Sequence, residues 1–484
     1  WIAAQNWCDG NVGTDGSSAM GITQLMMAGA VPPHLTCQFI DVACPSLYHD
    51  AVFQNGVFRK SLVEGWLTAQ GSWHMMAEFE ANPMYNEFWY PVNSTRRREL
   101  VEAPAIHRGG WYDIYVQGTI NSFMDRQYHG ATGARDNQML IMGPWTHGGN
   151  ATYLQGELSY PAGSQYNQQF PMLFSDWFEY WMRGEPTGVM NQQPVHYYVM
   201  GDVDDPQAPG NEWRSADDWP ILDETRELFL NADGTLTWDA PSEFQAKRSF
   251  TYDPSNPVPT LGGANLNIAA GSFDQRTVEN RSDVLIYETE ILAEPVEIIG
   301  RILCRVYLSS DAPDTDISVK LTDVYPDGRS MLVCDGIQRV RNRHSVESED
   351  LMTPGETVEV EVDLWSTAMV FNTGHRIRIA VSSSNFPRFD PNPNTGKPFR
   401  TDSEKQIALN TIHSDQYHLS ALILPVSNPP GTPTPTPTPG IDQTGVTLNM
   451  PDTVFQAGDN CWLDMTVMNN GADTIFDVPM FCLL

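Results

Sequence analysis

Helical periodicity all but disappears from this sequence after residue 222. Up to about residue 200, short apolar strands alternate with stretches of helical spacing. Beyond 222 the chain reads as period-2 strands separated by Gly, Pro and Asp turns. That change confines the fold to two architectures in series. Alternating strands and helices call for a parallel sheet covered by helices, and turn-punctuated strands call for stacked antiparallel sheets. The strands expected in the second half are Leu228 to Leu230, Val284 to Tyr287, Ile302 to Leu308, Ile317 to Leu321, Val358 to Leu364 and Ile377 to Val381. They predict an all-β sandwich over residues 223–427. Residues 428–440 read NPPGTPTPTPTPG, an extended, semi-rigid spacer of the kind found between extracellular modules. Residues 441–484 then look like part of a further small β-sandwich.

The first 222 residues predict an α/β catalytic domain. Gly10 to Gly16 forms a short strand, Ala19 to Ala30 a helix of small and apolar residues, and Leu35 to Ala43 a second strand. Residues 46–100 carry Trp66, Trp73, Phe79, Tyr85, Phe88 and Trp89, spaced as in helices packed on another surface, and read as a helical insertion. Pro104 to His107 and Met139 to Met142 are further strands. Phe170 to Arg183 reads as one amphipathic helix.

The chain has 484 residues, enough for two to four domains. Its 60 acidic and 28 basic residues give a formal net charge of −32. Nucleic acid and anionic membrane surfaces need a positive footprint and are excluded as partners. No apolar run is long enough to suggest a membrane span. Seven cysteines show no CxxC and no metal-ligand spacing. Most read as buried thiols, with a Cys37–Cys44 bridge as the pairing to check. Residue 1 is not Met, Trp1-Ile2 reads as the interior of a helix, and Phe481 to Leu484 stop inside an apolar run. Both ends are expected to be interruptions of a longer chain, which is expected to be secreted or displayed at the cell surface.

One constellation carries chemistry. Gly16-Ser17-Ser18-Ala19-Met20-Gly21 lies between a strand and a helix. A nucleophile on such a turn needs small flanking residues, because the turn is strained and tightly packed. The following helix aims its amide dipoles at Ser18, and the Ala19 N–H is placed to serve an oxyanion hole. The usual elbow is G-x-S-x-G, whereas here the second glycine comes one residue late. A serine needs a base and a group to orient it. Asp113 follows the strand end Ile106 to Tyr112, and His147 follows Gly143-Pro144-Trp145-Thr146, read as a turn after a strand. Asp113 could instead cap the helix beginning near Ile114. His34, His49, His74 and His107 compete with His147. The order Ser, Asp, His along the chain is that of α/β-hydrolases. Trp111, Tyr112 and Trp145 flank these positions and are candidates for lining an acyl pocket.

Trp7-Cys8-Asp9-Gly10-Asn11-Val12-Gly13 leading into the serine turn, Gly109-Gly110-Trp111-Tyr112-Asp113 and Gly143-Pro144-Trp145-Thr146-His147 resemble the cocaine esterase and X-Pro dipeptidyl-peptidase family. So do Asp311-Ala312-Pro313-Asp314-Thr315-Asp316, Val324 to Gly328, Gly374 to Arg378, Ser382 to Arg388 and Asn392 to Gly396 in the second half. The likeness covers about residues 1–426. It implies an α/β-hydrolase domain lacking its first strands, a helical cap at 46–100 and a C-terminal jelly roll. It implies acyl-enzyme chemistry with Ser18 as nucleophile, His147 as base and Asp113 as orienting acid. The substrates implied are small esters or amides, or short peptides. Three departures stand out. Ala19 replaces the Tyr that usually follows the nucleophile. Ile114 and Tyr115 stand where some members carry carboxylates for a substrate ammonium. The second oxyanion donor, a Tyr hydroxyl in the family, would precede residue 1. The fragment alone is therefore expected to be poorly soluble or inactive.

Two other readings compete with an esterase or amidase. An Xaa-Pro dipeptidyl-peptidase would need an acid for the substrate's free amine, with Glu78, Glu80 and Glu87 as candidates. A secreted β-rich binding protein on a dead hydrolase would need none of this chemistry. No phosphate loop, redox motif or metal site is found, so no cofactor is expected.

Overall fold

The computed structural model describes residues 1–221, 224–401 and 403–427, together with the strands Gly445–Asn449 and Asp464–Met468. Those two strands pair antiparallel with each other. The expected spacer at 428–440 and the rest of 441–484 lie outside the described residues.

A six-stranded sheet organises the first part. Its strands are β1 (Val12–Ser17), β2 (Leu35–Asp41), β3 (Ala105–Tyr112), β4 (Gln138–Thr146), β5 (Val195–Val199) and β6 (Glu212–Ala216), and they lie side by side in chain order. β1 to β5 are parallel, and β6 returns antiparallel to β5. Every parallel neighbour requires a crossover. Helix α1 (Ala19–Ala28) follows β1. The segment between β2 and β3 contains α2 (Lys60–Ala69) and α3 (Met75–Ala81). Helix α4 (Val116–His129) follows β3, and α5 (Leu173–Arg183) lies between β4 and β5. Because the strands end at one edge, the loops after β1, β3 and β4 emerge together, which is where open α/β sheets bind ligands. β1 forms one edge of the described sheet.

Three expectations need correction here. Trp1 and Ile2 do not lie inside a helix; Ile2–Ala4 makes a single 3₁₀ turn. The long helix expected from Phe170 begins only at Leu173, because Pro171 drives Phe170 out of the helical region, at φ −126°, ψ 56°. Gly143 to Thr146 is no turn but the end of β4, where Thr146 pairs with Tyr112.

The second part is two antiparallel sheets. One has seven strands, including the 15-residue Val296–Ser310 paired with Thr357–Phe371. The other orders Leu285–Glu288, Arg376–Ser382, Asp316–Val324 and Ser330–Arg339. Their facing sides bury alternating aliphatic residues such as Ile302, Cys304, Val306 and Leu308 against Ile317, Val319 and Leu321. The same core continues without a break into Trp111, Tyr112, Val116, Ile120 and Phe123 of the first part. Residues 1–427 accordingly belong to one compact unit.

The insertion between β2 and β3 has its own aromatic core of Tyr48, Phe53, Phe58, Phe79, Tyr85 and Trp89. Of the expected aromatics, Trp66 and Trp73 stay exposed. The insertion is pinned to the antiparallel part. Arg400 pairs with Glu64, and Asn267 donates to the Ser61 carbonyl at 2.9 Å. The contact is so close that a Cβ at Gly65 would stand 2.2 Å from Asn267 Nδ2. Cys37 and Cys44 are both free and sit in different apolar clusters, so the expected bridge does not form. No helix among the described residues is long and apolar enough to cross a membrane.

Candidate active site

Ser18 occupies the junction of β1 and α1 with φ 56° and ψ −122°. A non-glycine residue there is strained, and such strain is held by the packing around it. That packing is tight on both sides. A Cβ on Gly16 would stand 2.6 Å from Met20 Cβ, and one on Gly21 would stand 2.6 Å from Ala43 Cβ. The second glycine of the turn therefore sits at 21 because that is where α1 crosses closest to the chain leaving β2. The Ser18 N–H donates to the Asp41 carbonyl at 3.0 Å, tying the turn to the end of β2.

His147 follows the last residue of β4. Its Nε2 lies 2.9 Å from Ser18 Oγ and its Nδ1 lies 2.8 Å from Asp113 Oδ2. Asp113 is fully buried, and its other oxygen accepts the Tyr115 N–H. It thus does both things the sequence allows, bracing the turn before α4 and facing the imidazole. Burial of His147 disfavours its charged form, but the charge and hydrogen bond of Asp113, aided by Asp41, outweigh that and leave its pKa raised. The Tyr115 ring stands against the imidazole at 5.6 Å, nearly perpendicular to it.

The competing histidines are accounted for. His107 is buried in β3, bonded to Gln138, and burial pushes its pKa down to about 3. His49 is bonded to Ser46 and likewise driven down to about 4 by burial. His34 faces the Gly10 carbonyl, and His74 precedes α3.

A small cavity opens over Ser18 and Ala19. Its walls are Ile22, Leu47, Ala51, Val52, Leu62 and Val63, with Trp66, Phe79, Tyr115 and Leu266. Trp111, Tyr112 and Trp145 do not line it. All three are buried, and each polar edge is consumed by a backbone carbonyl: Trp111 by Tyr198, Tyr112 by Leu332 and Trp145 by Ser164. They fasten the sheet rather than face the cavity. Glu78, Glu80 and Glu87 are also absent from it, and Glu80 faces Arg400 instead.

Behind the wall, Arg59 is buried and holds the Asp50 and Ile114 carbonyls. Burial outweighs the Ser46 N–H and the Arg59 charge and raises the Asp50 carboxyl to about 7. These groups fix the segment that carries Asp113. Asp41, closing β2, takes a two-pronged bond from Arg108, 2.7 Å at each oxygen.

A family model described as X-Pro dipeptidyl-peptidase (S15 family) matches residues 1–78 and 69–149. One described as the X-Pro dipeptidyl-peptidase C-terminal non-catalytic domain matches 187–423. A cocaine esterase of Rhodococcus sp. is 31% identical over 88% of this chain and 82% of its own length. The chain belongs to the cocaine esterase and X-Pro dipeptidyl-peptidase family. It is therefore a serine hydrolase, and the reading as a binding protein without chemistry loses its ground. An aminopeptidase from a marine sediment archaeon shares the fold at a TM-score of 0.76 and 22% identity, over 88% of this chain and 78% of that one. An α-amino acid ester hydrolase does so at 0.76 and 24%, over 87% and 77%.

The sequence missed most of the cavity wall in this family member. Leu62, Val63 and Trp66 share one helix, and their i, i+1, i+4 spacing marks a face without saying what it faces. Leu266 comes from a loop 248 positions after Ser18, and nothing local signals its arrival.

Proposed function

We propose that the chain cleaves ester bonds of substrates with an apolar acyl or alkyl group, through an acyl-enzyme on Ser18. The single observation that carries the reading is the unbroken line from Ser18 Oγ through the imidazole of His147 to Asp113, 2.9 and 2.8 Å long. Ser18 Oγ attacks the carbonyl carbon as its proton passes to His147 Nε2. Asp113 holds the ring and balances the imidazolium. The oxyanion forms beside the Ala19 N–H, one of those left unpaired at the start of a helix. Collapse expels the alcohol, which takes the proton from His147. Water, deprotonated by the same nitrogen, then releases the acid from Ser18.

A largely apolar wall without an acidic side chain supports an ester over an Xaa-Pro peptide. A free amino terminus brought into that cavity would lose its hydration with no acid to pair it, at a cost of several kcal/mol. The same reading takes residues 1–222 as the catalytic domain with a cap at 46–100, and 223–427 as a jelly roll. It also includes export from the cell. The test uses the chain and a parent extended at its amino end, against p-nitrophenyl esters of increasing length and Gly-Pro-p-nitroanilide. Ester turnover with fluorophosphonate labelling, both lost in Ser18→Ala, is the expected result. Faster cleavage of the anilide would overturn the ester assignment.

A further inference from the structure

A group of metal-ligating side chains stands in the antiparallel part, and none of its members touches the Ser18 cavity. His413 ends the strand Ala408–His413, and Asp415 and His418 lie on the turn that follows. One nitrogen of each histidine and one carboxylate oxygen of Asp415 lie within 4.8 Å of one another. We propose that His413, Asp415 and His418 form a site for a divalent first-row transition ion of the zinc class.

The parts are braced as ligands are. The Nε2 of His413 lies 2.8 Å from Ser309 Oγ and 3.4 Å from Thr357 Oγ1, which fixes the ring and leaves Nδ1 for an ion. Ligating histidines ordinarily have their second nitrogen held in this way. Asp415 is 4% exposed and accepts the backbone N–H groups of Tyr417 and His418, so its carboxylate cannot swing away. The Nδ1 of His418 sits 3.0 and 3.2 Å from the two Asp415 oxygens. The two imidazole rings are 5.5 Å apart, and Tyr307 backs that of His418 at 5.4 Å. The Ser420 hydroxyl donates to the His413 carbonyl at 2.6 Å, closing the turn on the strand.

Two imidazoles and one carboxylate suit zinc, copper or nickel, whereas calcium and magnesium take oxygen ligands. Zinc–nitrogen bonds of about 2.0–2.1 Å put neighbouring ligand atoms about 3.3 Å apart, so the group contracts by at most about 1.5 Å on binding. His418 supplies that movement, since its side chain is 34% exposed. Lys247, paired with His413 across the strands, opposes a cation, while the net charge of −32 attracts one.

The test uses tag-free protein stripped with a chelator and titrated with zinc chloride by calorimetry, and with cobalt(II) by visible absorption. The expected result is one equivalent of zinc, with a tetrahedral cobalt spectrum. His418→Gln and Asp415→Asn should each weaken that equivalent at least tenfold while leaving ester turnover unchanged. Both positions lie on a surface turn, and melting curves confirm that the variants fold. Equal metal uptake by the wild type and both variants, or no uptake by the wild type, overturns the site.

Discussion

Two histidines in this chain share the same first bond and differ in what their second nitrogen meets. His147 Nδ1 lies 2.8 Å from Asp113, and His375 Nδ1 lies 2.8 Å from Asp323. In both, burial opposes protonation and the carboxylate partners override it, leaving the pKa raised. The second nitrogen separates them. That of His147 faces the hydroxyl of Ser18 at the mouth of a cavity. That of His375 faces another carboxylate, Asp202, at 3.3 Å, on a residue only 1% exposed. A histidine paired with an aspartate is thus not by itself a catalytic device. On the proposed reading it becomes one where its free nitrogen meets a nucleophile in a place that substrate can enter, and elsewhere it is a clamp between two parts of the fold.

The sharpest way to break this contrast is to remove the hydroxyl. Ser18→Ala should lower kcat for esters by about 10⁶-fold, with little change in melting temperature. Asp113→Asn should cost about 10⁴-fold in kcat, because the imidazole then loses its held tautomer. His375→Asn should do the reverse. Two buried carboxylates would lose the group between them, destabilising the fold by about 3–5 kcal/mol in denaturant titration, with kcat preserved below the transition. Inactivation by His375→Asn without destabilisation would erase the distinction.

Proton titration sharpens it further. On the proposed mechanism His147 is neutral when it accepts the serine proton, and its pKa is raised. Ester kcat/KM should therefore fall as pH drops through an apparent pKa above about 6.5, the ordinary histidine value. The residual activity of Asp113→Asn should show that limb moved to lower pH, since the partner that raises it is gone. The smallest effect belongs to the cavity wall. Leu266→Ala should raise KM for long-chain esters by about tenfold or less, while short acetyl esters are hardly affected.

The same contrast explains what could be read from the sequence. Ser18, Asp113 and His147 were legible because each sits at a strand end beside glycines, and the backbone there has few alternatives. Six strands of the second half were legible by alternation, whereas Lys247–Tyr252, Ala408–His413, Ala421–Leu424 and Ser330–Arg339 were not. Ser330–Arg339 is buried at every position yet carries Ser330, Asp335, Gly336, Gln338 and Arg339, so its polar residues do not mark an exposed face. Trp111, Tyr112 and Trp145 misled because nearness in sequence to a reactive residue was taken for nearness in space. Successive residues of a strand point to opposite faces, so a neighbour in the chain can sit on the far side of the sheet. His413, Asp415 and His418 gave no signal because their spacing follows no common ligand pattern.

The bond from the Tyr112 hydroxyl to the Leu332 carbonyl, 3.1 Å long, has a practical consequence. Tyr112 directly precedes Asp113, and Leu332 belongs to the antiparallel sheets. The Ser366 hydroxyl reaches Gln117 of α4 at 2.8 Å in the same region. The loop that aims the acid is thus indexed against the other half of the molecule. Shuffling the first 222 residues onto a foreign carrier would discard the ruler along with the partner, and active chimaeras would have to keep both sides of that seam from one parent.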